Sequence, residues 1–134
     1  MTEQEIIKRH TIPKTINWDA ISSEIGLSED FIRKYADKLD WEEISCCQVL
    51  SEDLIRDFKD FVTWTEISIY QKLSENFIRE FQDRVTWKCI SREQKLSENF
   101  IREFQDLVCW YRISAYQTLS EEFRAEFKDR LGDW

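Results

Sequence analysis

Apolar residues in the middle of the chain fall on a helical stripe. After Ser74 and Glu75, the residues Phe77, Ile78, Phe81 and Val85 stand at steps of one, four and eight, which is one face of a helix and not the alternation of a strand. Ser74 sits where an N-cap belongs, and Glu75 lies in the first turn, where the positive end of the helix dipole favours a carboxylate. The pattern predicts a helix of about eleven residues from this cap to Val85. A second helix carries Trp64 and Ile67 inward and must end before Leu73, so it has only about two turns, partly 3₁₀ in some copies. Asn17, Asp40, Thr63 and Thr86 precede its Trp in four copies, and Asp40 with Glu43 and Thr63 with Glu66 fit capping boxes.

The same pattern returns every 23 residues. Trp18, Trp41, Trp64, Trp87 and Trp110 mark it, followed by Ile21, Ile44, Ile67, Ile90 and Ile113, each with a serine after it. Leu27, Leu50, Leu73, Leu96 and Leu119 each precede Ser-Glu, and Phe31, Leu54, Phe77, Phe100 and Phe123 keep a further column. Residues 71–83 and 94–106 are identical, so five tandem copies are present. A two-helix copy cannot bury its own Trp, Ile, Leu and Phe side chains, and stacking on its neighbours does so. The expected fold is therefore all-α: an α-solenoid of five 23-residue two-helix repeats, one short helix and one longer, with capping ends. No copy contains the Leu-x-x-Leu-x-Leu strand of a leucine-rich horseshoe.

One domain over residues 1–134 is expected, with an N-terminal cap at 1–16, repeats at 17–131 and a C-terminal cap at 132–134. Thr2 and Glu5 fit a capping box and Pro13 separates the first helix from Trp18, while Trp134 is expected either to fold back over the last Phe layer or to mark where a longer array was cut. Composition agrees, since two Gly and one Pro cannot supply the turns of a sandwich or barrel. The 42% apolar content excludes a disordered acidic tail. No apolar run is long enough to span a membrane, and the N-terminus lacks a signal peptide. A soluble, cytoplasmic protein is expected.

Glu75, Arg79 and Asp83 stand at i, i+4 and i+8, and the triplet recurs as Glu29/Arg33/Asp37, Glu52/Arg56/Asp60 and Glu98/Arg102/Asp106. It reads as a self-neutralising ladder along each helix. Arg124 breaks the Ile column in the last copy, as a solvent-facing terminal repeat allows. The net charge of −8 is lopsided: residues 1–67 carry 15 acids and 8 bases, residues 68–134 carry 12 and 11. Such a surface disfavours direct nucleic-acid binding and suits a basic partner, which a one-sign field steers. Asp19, Asp40, Glu42, Glu43 and Asp53 are the candidate acidic contacts.

Cys46, Cys47, Cys89 and Cys109 contain no Cys-x-x-Cys pair, and His10 is the only histidine. No metal site, disulfide or cofactor is expected. The serine column cannot be a set of nucleophiles served by one histidine, and with glycine only at 26 and 132 no phosphate-binding glycine loop exists. An enzyme is not expected.

Fixed columns build the array, so specificity falls to the variable ones. The two positions after Trp and the two after Ile-Ser change from copy to copy and hold Tyr70, Tyr111 and Tyr116, a residue type that anchors interfaces. Gln48, Gln71, Gln94 and Gln117 form a column suited to an inter-repeat hydrogen-bond ladder.

The consensus Trp-x-x-Ile-Ser-x-x-Gln-x-Leu-Ser-Glu-x-Phe-Ile-Arg-x-Phe-x-Asp-x-Val, over about residues 17–131, resembles the 23-residue helical repeats of phages, large DNA viruses and some bacteria. The resemblance implies a helical-repeat fold and a viral or mobile-element origin, with the cytoplasm of an infected host as one setting, and carries no settled activity. The leading expectation is a non-enzymatic module that binds a protein partner through the solenoid surface. Two others are a small acidic inhibitor that mimics nucleic acid on a host defence nuclease complex, such as a CRISPR effector, and a spacer whose ends stack into a filament. Monomer and end-stacking oligomer both fit, and no membrane partner is expected.

Overall fold

The structure, a computed structural model, describes residues 2–11 and 15–132. Pro13 and Trp134, given roles at the two caps, lie outside the described residues. Twelve helices and no strand occur among the described residues. After α1 (Glu3–Arg9) the Trp-led helices are α2 (Trp18–Ser22), α4 (Trp41–Cys47), α6 (Trp64–Tyr70), α8 (Trp87–Glu93) and α10 (Trp110–Tyr116). Between them lie α3 (Glu29–Lys34), α5 (Glu52–Asp57), α7 (Glu75–Glu80), α9 (Glu98–Glu103) and α11 (Glu121–Glu126), with α12 (Lys128–Leu131) last. The repeat is thus a two-helix repeat of α-solenoid type, as its period requires.

Two compact units divide the chain, Met1–Gln71 and Lys72–Trp134. The division falls between α6 and α7, inside the third sequence copy. In the first unit the Trp helices stack as α2 on α4 and α4 on α6, and in the second as α8 on α10, with α12 against α10 and α11.

The helix after each Ser-Glu is shorter than its apolar stripe predicts. α7 has six residues and stops at Phe81, whose φ of −110° and ψ of 29° leave the helix. A tight turn follows, in which Arg84 N–H (2.8 Å) and Val85 N–H (3.0 Å) both donate to the Phe81 carbonyl. That turn keeps the stripe in phase, so Val85 stays buried although it lies beyond the helix. The next carbonyl is taken by tryptophan: Trp87 Nε1 donates to Gln82 O at 3.0 Å, and Trp41 (2.8 Å), Trp64 (3.0 Å) and Trp110 (2.9 Å) bond the equivalent carbonyls of Ala36, Lys59 and Gln105. The Trp-led helices have seven residues in four copies and are there the longer of the pair, whereas α2, with five residues, is shorter than the six-residue α3.

Capping follows the sequence in part. Ser28, Ser51, Ser74, Ser97 and Ser120 each accept the N–H three residues on, and the Thr2/Glu5 box closes the start of α1. The two boxes expected at Asp40 and Thr63 do not form. A box needs the N-cap N–H for its glutamate, yet Asp40 N–H donates to Ser22 Oγ (2.7 Å) and Thr63 N–H to Ser45 Oγ (3.0 Å). Asp40 still caps α4, accepting from Glu42 N–H at 3.1 Å.

The core repeats with the sequence. The Ile column led by Ile21, the column at Ile32, Ile55, Ile78 and Ile101, and the Phe column are fully buried, each side chain contributing about 1.5–3 kcal/mol. Tryptophan is less inward than expected. Trp41 is buried, while Trp64, Trp87 and Trp110 are half-buried, and Trp87 and Trp110 lie against phenylalanine rings. Trp41 stacks on Phe58 at 5.1 Å and Trp110 on Phe127 at 5.0 Å. Arg124 is exposed, as its place in the terminal copy implies.

Candidate interaction surface

The fixed polar columns are consumed by holding repeats together. Gln117 shows the arrangement in full: its Oε1 accepts from Leu96 N–H at 3.1 Å, and its Nε2 donates to Ser91 O at 2.8 Å and Gln94 O at 2.7 Å. Gln71 does the same with Leu50 N–H, Ser45 O and Gln48 O, and Gln48 with Leu27 N–H, Ser22 O and Glu24 O. Each glutamine is buried, and its amide matches backbone groups that have no partner in their own helix, since loop N–H and C=O groups must be satisfied when buried. The predicted ladder is present.

The serine column completes the junction. Ser22 Oγ donates to Trp18 O at 2.7 Å and accepts from Asp40 N–H of the next copy. Ser45 and Ser91 likewise accept from Thr63 and Cys109. Ser22, Ser45, Ser68 and Ser91 are fully buried, whereas Ser114, in the last copy, is half-buried.

The acidic and basic triplets work between copies more than along one helix. Arg33 pairs with Asp57 (2.8 Å), Arg79 with Glu103 (2.9 Å) and Arg102 with Glu126 (3.1 Å). Arg79 and Arg102 also lie over the rings of Phe100 and Phe123, at 5.3 and 5.1 Å. Glu29 accepts Ser51 N–H at 2.8 Å, and Glu75 and Glu98 accept both the N–H and the hydroxyl of Ser97 and Ser120. The Ser120 N–H is the main reason the Glu98 carboxyl lies below its ordinary range, and the i+4 partner Arg102 contributes least. Arg102 in turn is held charged chiefly by Glu126. Stacking brings the next copy's carboxylate to the guanidinium more directly than the helix brings its own.

What remains outward are the variable columns. In the first unit Asp19 and Glu42 hold the same column on the stacked helices α2 and α4, and both are exposed. Glu43 and Asp40 are half-buried. Asp53 lies apart on α5, exposed and paired with Arg56 at 2.7 Å. Tyr70 is 61% exposed. In the second unit Tyr111 is 61% and Tyr116 52% exposed, and Arg92 sits over the Tyr116 ring at 4.9 Å. A groove of about 250 Å³ there is lined by the Arg92–Leu96 segment with Tyr116, Gln117 and Thr118. Asp40 therefore serves as a cap and Asp53 as an ion-pair partner, while Asp19, Glu42 and the three tyrosines are exposed at the surface.

Two aliphatic side chains missed by the sequence reading are more exposed than any of these. Ile25 and Val49, at 92 and 93%, sit in the loops after α2 and α4. The signal was available: Ile25 holds the Gln column in the first copy, where no earlier repeat asks for an amide. His10, the lone histidine, contacts Glu24 Oε2 at 3.0 Å, and Arg9 pairs with the same carboxylate. One group of metal-type donors occurs among the described residues, Glu43, Cys46 and Cys47, whose ligand atoms lie within 4.8 Å of one another. No described helix is long and apolar enough to cross a membrane.

No known family model, curated protein or solved structure matches the chain, so its function has to be read from its own geometry.

Proposed function

We propose that the protein is a non-enzymatic protein-protein interaction module whose variable surface columns bind a protein partner. The observation that carries this reading is the division of labour between columns. Gln, Ser, Trp and Ile, the residues that repeat, are taken up in junctions and core, while Tyr70, Tyr111 and Tyr116 stand exposed in positions that change from copy to copy. Tyrosine presents a large, rigid, amphipathic contact at low entropic cost, and its exposure in these variable positions supports recognition. Affinity purification from the native host, with and without nuclease, tests it. One stoichiometric protein recovered under both treatments is expected, and recovery of nucleic acid alone would refute the reading.

The acidity of the first unit favours a second reading, an inhibitor of a host nuclease complex that occupies a nucleic-acid channel. Residues 1–71 carry 15 acids against 8 bases, a field that attracts a basic cleft. Charge reversal at Asp19, Glu42 and Glu43 discriminates the two. It abolishes a salt-sensitive mimic and leaves a tyrosine-anchored contact largely intact.

A further inference from the structure

We propose that Glu43, Cys46 and Cys47 on α4 form a binding site for a thiophilic divalent cation of the zinc and cadmium class. The three residues stand at i, i+3 and i+4 of one helix, which gathers their side chains on one face. Cys46 Sγ and Cys47 Sγ are 2.9 Å apart, and Cys47 Sγ lies 3.5 Å from Glu43 Oε2. Both cysteines are free thiols.

Those distances suit a tetrahedral ion. With metal bonds of about 2.3 Å to sulfur and about 2.1 Å to oxygen, two sulfurs on such a centre lie about 3.8 Å apart and a sulfur and an oxygen about 3.6 Å. The Cys47 to Glu43 separation already matches. The two sulfurs open by less than about 1 Å, a small side-chain rotation, and Cys47 has room for it because it is exposed and ends α4, with Gln48 already extended. Two sulfurs and one oxygen leave a fourth position for water on the solvent side.

Neither thiol joins one repeat to the next, and Cys46 Sγ donates only within its own helix, to Glu43 O at 3.5 Å. The two positions read Ser23/Glu24, Ile69/Tyr70, Arg92/Glu93 and Ala115/Tyr116 in the other copies, and neither sulfur enters the glutamine or serine junctions. Binding releases one proton from each thiol to solvent, and both sulfur lone pairs go to the metal. The first unit's excess of carboxylates raises the local cation concentration.

Cadmium titration of the full chain under a non-thiol reductant tests the site by its sulfur-to-cadmium charge-transfer band. In the C89S/C109S variant, which retains only Cys46 and Cys47, the band saturates at one cadmium per chain. Adding C47S abolishes the saturable band, and adding E43Q weakens binding by at least about tenfold. In the unaltered chain, cadmium shields Cys46 and Cys47 from alkylation and leaves Cys89 and Cys109 reactive, as read by peptide mass spectrometry. Either of two results overturns the proposal: no protection of Cys46 and Cys47 at stoichiometric cadmium, or saturation at half an equivalent with a doubled mass, which places the cation between two chains.

Discussion

Replacing Gln117 by leucine strips one rung from the ladder while nearly preserving its volume. Three bonds disappear, leaving Leu96 N–H and the carbonyls of Ser91 and Gln94 without their partners at 3.1, 2.8 and 2.7 Å. At about 1 kcal/mol net per bond, and more where the orphaned group stays dry, the cost is about 3 kcal/mol. For a chain of this size, that lowers the melting temperature by about 10 °C. Hydrogen exchange gives a sharper assay, because the Leu96 amide, buried and bonded only through Gln117 in wild type, loses its protection while amides in the middle of α9 keep theirs. Gln117→Glu separates donor from acceptor. Its carboxylate still accepts from Leu96 N–H but faces two carbonyl oxygens, which raises its folded-state pKa above the unfolded value. Its destabilisation is therefore largest above that raised value and shrinks as pH falls through it. A Gln117→Leu cost below about 0.5 kcal/mol, the range of an ordinary surface change, would refute the ladder as the junction's main polar tie.

Ser22→Ala leaves Asp40 N–H without its 2.7 Å acceptor and costs about 1–2 kcal/mol in urea unfolding, while Ser114→Ala, at the half-buried terminal position, costs less. Glu98 has its carboxyl lowered mainly by the Ser120 N–H, so it contributes stability that is complete above the unfolded carboxylate value and lost as pH falls through the lowered folded one. Glu98→Gln accordingly flattens the acid limb of a stability-against-pH curve and leaves its slope near neutrality unchanged. Gly26, at φ +82° with open space where a Cβ would stand, loses about 1 kcal/mol on change to alanine through backbone strain alone, which thermal denaturation reads.

The period and its columns made the fold legible, because a residue copied at every 23rd position has the same surroundings in each copy. Gln48, Gln71, Gln94 and Gln117 could be assigned to a ladder on that ground alone. The direction of Arg79 could not. Glu75 at i−4 and Glu103 at i+24 are both compatible with the period, and the choice depends on how closely the next copy packs. The extent of α7 was misread because the turn at Phe81 preserves the i, i+4 bond to Val85 and with it the apolar phase. The boxes at Asp40 and Thr63 failed because a serine 18 residues earlier reaches the same N–H first. Cys46 and Cys47 were set aside for want of a Cys-x-x-Cys pair, whereas α4 sets them beside Glu43, a contact that the i, i+3, i+4 spacing on a helix already implied.

The claim that repeated columns build and variable columns bind is tested most directly by one variant, Tyr70, Tyr111 and Tyr116 all changed to alanine, assayed for partner affinity and melting temperature together. These side chains are more than half exposed and surface changes of this kind stay near 0.5 kcal/mol each. The account predicts a melting temperature within a few degrees of wild type and a loss of at least about tenfold in affinity for the captured partner, about 1.4 kcal/mol. Unchanged affinity in the folded triple variant would contradict it.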